Sequence, residues 1–195
     1  MTPEWLFGDS QTRDNVGMQG TAQTSSGETH DQYRARLESY VVGKDPITIQ
    51  RETAQELARL IANPSDEVLS RPPAPGKWSV RAILAHMAED EFATSWRYRQ
   101  MIEHSGSTLL SFDQDRWAQL GDYESWKVRD SLDLFRLLRA ANLQMLARLT
   151  PEQWQCYGIH TERGKITVTD LARQMAGHDI NHINQIQRLL QIGSD

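Results

Sequence analysis

An all-α fold, four amphipathic helices packed as a bundle behind a mobile N-terminal extension, is what this sequence predicts. Three observations predict it. Apolar residues recur at steps of three and four over four long stretches, proline or glycine breaks stand between them, and no strand pattern is long enough to build a sheet. With 195 residues, 38% of them hydrophobic and 24% charged, the chain suits one helical domain with a substantial core.

Residues 1–30 are rich in Gly, Ser, Thr and Gln (GMQGTAQTSSGETH) and aperiodic, so they read as a disordered extension with too little apolar surface to order itself. The folded domain then spans 31–195. Asp31 to Tyr40 reads as a short helical turn leading in, and GKDPI as a break. The first long helix runs from about Ile47 to Ala62 with Ala54, Leu57, Ala58 and Ile61 on one face, and Asn63-Pro64 stops it because proline cannot continue the ladder. The linker SRPPAPGK is held open by its prolines. The second helix begins near Trp78-Ser79 and reaches about His104, with Val80, Ile83, Leu84, Met87, Tyr98 and Ile102 as its apolar arc. Residues 105–123 read as an irregular or weakly helical connection carrying Phe112 and Trp117. The third helix, about Tyr123 to Leu149, aligns Leu134, Leu138, Ala141 and Met145, and Thr150-Pro151 closes it. After the loop CYGIHTERGK, the fourth runs from about Thr167 to Gln191, with Thr167 or Thr169 as its N-cap and Gly193 beyond its end. Four such stripes are satisfied by packing against one another.

A net charge of −5 argues against general affinity for nucleic acid, which needs clustered Lys and Arg to neutralise phosphates. The single cysteine, Cys156, allows no intrachain disulfide and reads as packed rather than catalytic. The first fifteen residues lack the basic start and apolar run of a signal peptide, and no run of about 18 apolar residues suits a membrane span. These features point to the cytoplasm.

The informative segment is DLARQMAGHDINHINQIQRLL. Leu171, Met175, His178, His182, Gln185 and Leu189 follow one another by four, three, four, three and four, the seam of a packed bundle helix. His178 and His182 stand one turn apart, so both rings can converge on one metal ion. Burying two imidazoles without partners costs on the order of a few kcal/mol each, a penalty that a shared ion removes. A third donor is expected from a facing helix. In LAHMAEDE, His86 sits at the margin of the apolar arc, Glu91 inside it and Asp90 between, and the wheel leaves all of them open along with Glu89.

The pattern PGKWSVRAILAHMAEDE, followed after a long interval by GHDINHINQI, resembles the DinB-like superfamily of four-helix metal-binding proteins, which includes YfiT-type hydrolases, over about Asp45 to Gln191. The resemblance implies a divalent metal, zinc or nickel, held by one histidine of the second helix and two of the fourth. In this chain those are His86, His178 and His182. It implies either a hydrolase or a low-molecular-weight-thiol S-transferase acting on a small molecule such as a thiol. Three neutral imidazoles with open positions make a catalytic rather than a closed structural site.

Glu91 is the candidate general base, against the alternative of a buried carboxylate paired with an arginine. Asp179, off the seam, reads as a solvated charge, with orientation of a ligand histidine as the alternative. Gln185 is placed to hydrogen-bond an imidazole, Trp78 reads as a core aromatic, His160 as a surface residue, and His30 and His104 are assigned nothing. Trp5, Trp117, Trp126 and Trp154 offer more aromatic surface than one small core needs, which suggests a homodimer. A noncatalytic metal-binding or stress-related interaction protein is the alternative to an enzyme.

Overall fold

A computed structural model of the chain describes residues 28–192. The extension expected over 1–30 therefore lies almost wholly outside the described residues. Helix begins at its very end, where Thr29 and Gln32 form a reciprocal cap at the start of α1 (His30–Val41). The four long helices are α2 (Pro46–Leu60), α4 (Val80–Glu103), α6 (Val128–Leu146) and α8 (Val168–Ile192), with three short ones between them: α3 (Asp66–Ser70), α5 (Gln114–Gly121) and α7 (Pro151–Trp154). α2 packs on α8 and α6, and α4 packs on α6 and α8, which closes a four-helix bundle.

Local chemistry sets the helix starts. Asp45 caps α2 with Pro46 in the first turn, where its missing N–H costs nothing. Ser79 Oγ accepts the N–H of Ala82 at the head of α4. Of the two threonines offered for α8, Thr167 is the cap: its Oγ1 accepts from the Asp170 N–H, and the Asp170 carboxylate accepts from the Thr167 N–H.

The bundle interior is apolar at both ends and polar in the middle. Leu57, Val80, Ile83, Leu84, Met87, Phe135 and Ile186 form one apolar cluster. Tyr98, Met101, Leu109, Leu146, Val168, Leu171 and Met175 form the other. Between them α4, α6 and α8 contribute His86, Asp90, Glu91, Arg139, Asn142, His178, Asp179 and His182, all buried.

Four expectations are corrected. Residues 31–40 belong to a full helix rather than a turn, and α1 lies against α8. The approach is close enough that a Cβ on Gly177 would stand 2.4 Å from the Leu37 carbonyl oxygen, so only glycine fits there. The third helix starts at Val128, after a single 3-10 turn at Tyr123–Ser125, and Thr150-Pro151 opens α7 rather than merely ending α6. The stripe Leu134, Leu138, Ala141 and Met145 is not the inner face of α6. Leu134 is 38% exposed, and the buried positions are Ser131, Phe135, Arg139, Asn142 and Leu146. Finally, the connections do contain a small sheet of β1 (Ser107–Leu109), β2 (Tyr157–His160) and β3 (Gly164–Thr167). β1 pairs parallel to β2, with Leu109 opposite His160, and β2 pairs antiparallel to β3. Leu109 lies so close over Gly158 that a Cβ there would meet its Cγ at 2.4 Å.

Candidate metal centre

α4 and α8 run antiparallel across the polar layer: Asp90 faces His178, and Thr94 Oγ1 donates to Met175 Sδ at 3.3 Å. This pairing brings the His86 ring to the one-turn pair on α8. The Nε2 atoms of His86 and His178 are 3.1 Å apart, and those of His178 and His182 are 3.0 Å apart. One ligand atom from each of the three residues lies within 4.8 Å of the others. Exposures are 1%, 4% and 6% for His86, His178 and His182.

Their outer nitrogens settle which way the lone pairs point. His182 Nδ1 is 3.0 Å from Gln185 Oε1, an atom that only accepts, so the proton of the neutral ring sits on Nδ1 and Nε2 is bare. His178 Nδ1 faces the Asp90 carboxylate at 3.6 Å, which favours the same arrangement. Two bare lone pairs thus meet across 3.0 Å, a repulsive contact unless a cation stands between them. Three nitrogens each about 2.1 Å from one ion stand about 3.0–3.4 Å apart at octahedral to tetrahedral angles, which the two observed spacings match. The donor set fits a divalent metal. Gln185 and Asp90 are the outer partners that such ligands use to fix their tautomer.

Burial keeps His86 and His182 neutral, as metal ligation requires. Burial, with the charge of His178 added, pulls the His86 pKa from its ordinary 6.5 to about 3, against the pull of Asp90. Burial first, then His178 and His86, hold His182 well below 6.5. Trp78 packs its ring against His86, centroids 4.8 Å apart, as well as against Tyr123.

The other candidates are placed differently. Glu91 takes the paired-carboxylate alternative: Arg139 donates to one oxygen at 2.9 Å and Asn142 to the other at 2.7 Å, so its lone pairs are committed within the core. Asp179 is neither solvated nor a partner of a histidine. It is fully buried, receives Arg139 at 2.5 and 3.0 Å, and accepts from Thr53 Oγ1 at 2.9 Å. His160, expected at the surface, is 4% exposed at the end of β2. His104 is exposed beside Glu103, and Cys156 packs at the edge of the second apolar cluster. Trp117 stacks on Phe112, Trp126 donates to the Gly121 carbonyl and Trp154 packs on the second cluster, so all three tryptophans are engaged within the chain, while Trp5 lies outside the described residues. Among the described residues, Phe92 and Trp96 are the exposed large aromatic side chains. Sequence reasoning passed over Asp90 as an orienting group, although its position one turn after His86 put it on the same helix face. Arg36, which donates to Asn181 Oδ1 at 2.5 Å and so ties α1 to α8, gave no signal at all.

The sequence model of the DinB superfamily matches residues 50–186, a span containing all three histidines. The chain belongs to the DinB superfamily. Within it, a protein of Oceanobacillus iheyensis named "Putative metal-dependent hydrolase" is 25% identical over 138 residues, 71% of this chain and 79% of that protein. YfiT of Bacillus subtilis, similarly named, is 23% identical over 146 residues, 73% of this chain and 82% of its own. The solved structure of YfiT, described as "a probable metal-dependent hydrolase with an unusual four-helix bundle topology", superposes with a TM-score of 0.71 at 20% identity, covering 87% of this chain and 92% of that one. A mycothiol-dependent maleylpyruvate isomerase shares the fold at a TM-score of 0.54 and 11% identity, over 74% of this chain and 59% of that one. Among the described residues no helix is long and apolar enough to cross a membrane.

Proposed function

We propose that this chain is a metal-dependent hydrolase of small molecules, holding one divalent cation, zinc or nickel, on His86, His178 and His182. The observation that carries the reading is the convergence of three buried imidazoles to 3.0 and 3.1 Å, with the Nε2 lone pairs of His178 and His182 turned inward. A divalent ion in such a site acidifies a coordinated water or thiol and polarises a carbonyl. Three uncharged ligands leave that ion its whole charge. The rest of the work falls to the chain: Gln185 and Asp90 hold the outer nitrogens, and Trp78 keeps water from one side of His86. Glu91 is given no proton-transfer role, because its oxygens serve Arg139 and Asn142. The naming of the Oceanobacillus and Bacillus relatives as metal-dependent hydrolases supports this reading.

A second reading, transfer of a low-molecular-weight thiol, has support in the fold shared with the mycothiol-dependent isomerase and in the affinity of such an ion for thiolate sulfur. One assay set separates the two. The zinc-loaded and nickel-loaded protein is tested on a panel of esters and amides, and for conjugation of small thiols to an electrophile, beside His182→Ala. Hydrolysis that falls at least a hundredfold in the variant is the expected result. Conjugation without hydrolysis moves the chain to the second reading, and the absence of both from metal-loaded protein contradicts both.

A further inference from the structure

We propose that Arg97 and Arg163 form a receptor for the anionic group, a carboxylate or a phosphate, of the molecule processed at the histidines. The proposal rests on the metal-centre reading above and names a substrate class for it.

Placement comes first. Arg97 lies seven residues beyond Asp90 on α4, two turns along and within about 20° of the same face. Gln174 lies one turn before His178 on α8. Because the two helices are antiparallel, both positions are on the same side of the histidine layer, towards the sheet. Arg163, in the turn between β2 and β3, donates Nη1 to Gln174 Oε1 at 2.7 Å, which anchors its guanidinium at that level. Arg97 is 8% exposed, donates Nη2 to the Leu110 carbonyl at 2.8 Å, and lies over the Phe112 ring at 5.3 Å.

The partners are the unusual part. Arg139, buried like Arg97 while Arg163 is half-buried, is matched by two carboxylates. Among the described residues neither Arg97 nor Arg163 has a carboxylate at ion-pair distance. Each makes a single hydrogen bond, to a neutral oxygen, out of the five that a guanidinium can donate. The buried carboxylate nearest in the layer, Asp90, turns an oxygen to His178. Asp90 and the exposed Glu162 act on the pair from beyond ion-pair distance, so both guanidiniums lack a matched anion beside them, and an ion lacking a partner is costly where water is excluded. A ligand carboxylate or phosphate removes that cost and fits the guanidinium fork.

The surrounding electrostatics agree. Burial, then the charge of Arg97, lowers the Arg163 pKa to about 10, and burial lowers that of Arg97 despite Asp90 and Glu162. His160, depressed to about 4 by burial and by both arginines, stays neutral. Its Nδ1 accepts the Glu162 N–H at 3.2 Å, so its proton sits on Nε2 and supplies a further donor without further charge.

The test is calorimetric titration of the full chain with inorganic phosphate and, separately, with succinate at fixed ionic strength, with metal content measured on the same samples. His182→Ala is included because it removes a metal ligand and leaves both arginines. The expected result is millimolar binding of one of the two anions by wild type and by His182→Ala, the better anion identifying the group. That binding weakens about tenfold in Arg163→Gln and in Arg97→Gln. Arg163 is on a hairpin turn, and Arg163→Lys keeps its charge but not its fork, so an intermediate loss there separates recognition from folding. Unchanged binding in both glutamine variants overturns the proposal, as does no binding of either anion. Binding that disappears in His182→Ala but persists in Arg163→Gln also overturns it, by putting the anion on the metal. Metal retained by His182→Ala, with anion binding intact, counts against the metal centre and not against the arginine pair.

Discussion

Asp90 and Glu91 are neighbours on α4, and His178 and Asp179 are neighbours on α8, yet each pair divides between two different polar clusters in the same bundle interior. A step of one residue turns a helix by about 100°, which is enough to send Glu91 and Asp179 to Arg139, and Asp90 and His178 to the histidine side. The two clusters are equally buried and chemically opposite. Around Arg139, donors meet acceptors: two carboxylates, Asn142, Thr53 and the Gln50 carbonyl close a network in which both terminal nitrogens of the guanidinium are matched and only its Nε is left without a partner. On the histidine side, acceptor meets acceptor where His178 Nε2 faces His182 Nε2. Buried polar groups that complete one another hold the fold together. Buried polar groups of one kind, aimed at one point, leave a place for something else.

The largest effect is expected where the Arg139 cluster is broken. Arg139→Met leaves two carboxylates buried without a counter-ion and lowers the unfolding free energy by about 3–5 kcal/mol, read as a fall in the urea midpoint. The folded fraction still binds metal. Acid attacks the other cluster. His86 and His182 stay neutral in the fold but take up protons in the unfolded chain, so between pH 6.5 and about 3 the unfolded state binds more protons. Stability of the metal-free protein is therefore fully present above pH 6.5 and declines as pH falls through that window, by at most about 1.4 kcal/mol per pH unit for each ring. Urea midpoints at pH 7.5, 6 and 5 check this, and a flat profile speaks against neutral buried rings. Gln185→Leu removes the acceptor from His182 Nδ1 and weakens metal affinity about 10–100-fold in a competition titration, with little change in the metal-free midpoint. The smallest effect sharpens the contrast most: His182→Leu in metal-free protein shifts stability by less than about 1 kcal/mol, or raises it, because it removes a contact between lone pairs.

Much of this arrangement is legible in the sequence. Ser79, Pro46, Pro64 and Thr167 mark helix ends by local chemistry, and the step pattern through His178, His182 and Gln185 places three functional side chains on one seam before any tertiary contact is known. The third histidine is not separable by its wheel position from Glu91 and Asp90, and family resemblance picks it out. The inner face of α6 is misread for a physical reason. Its core positions hold Arg139 and Asn142, so a search for apolar residues settles on the adjacent, partly exposed stripe of Leu134, Leu138, Ala141 and Met145. The strands are three and four residues long, too short for a period of two to register. The Arg97–Arg163 pairing joins residues far apart in the chain through a turn and a helix, which no local pattern can reveal.

The central claim is that the three imidazoles hold an ion, and metal analysis of the purified, full-length chain reconstituted with zinc or nickel tests it most directly. The account predicts about one ion per chain in wild type and almost none in His182→Ala, with the same helical circular dichroism in both. Wild type that remains metal-free after reconstitution, or a His182→Ala variant that holds the ion as tightly as wild type, would contradict it.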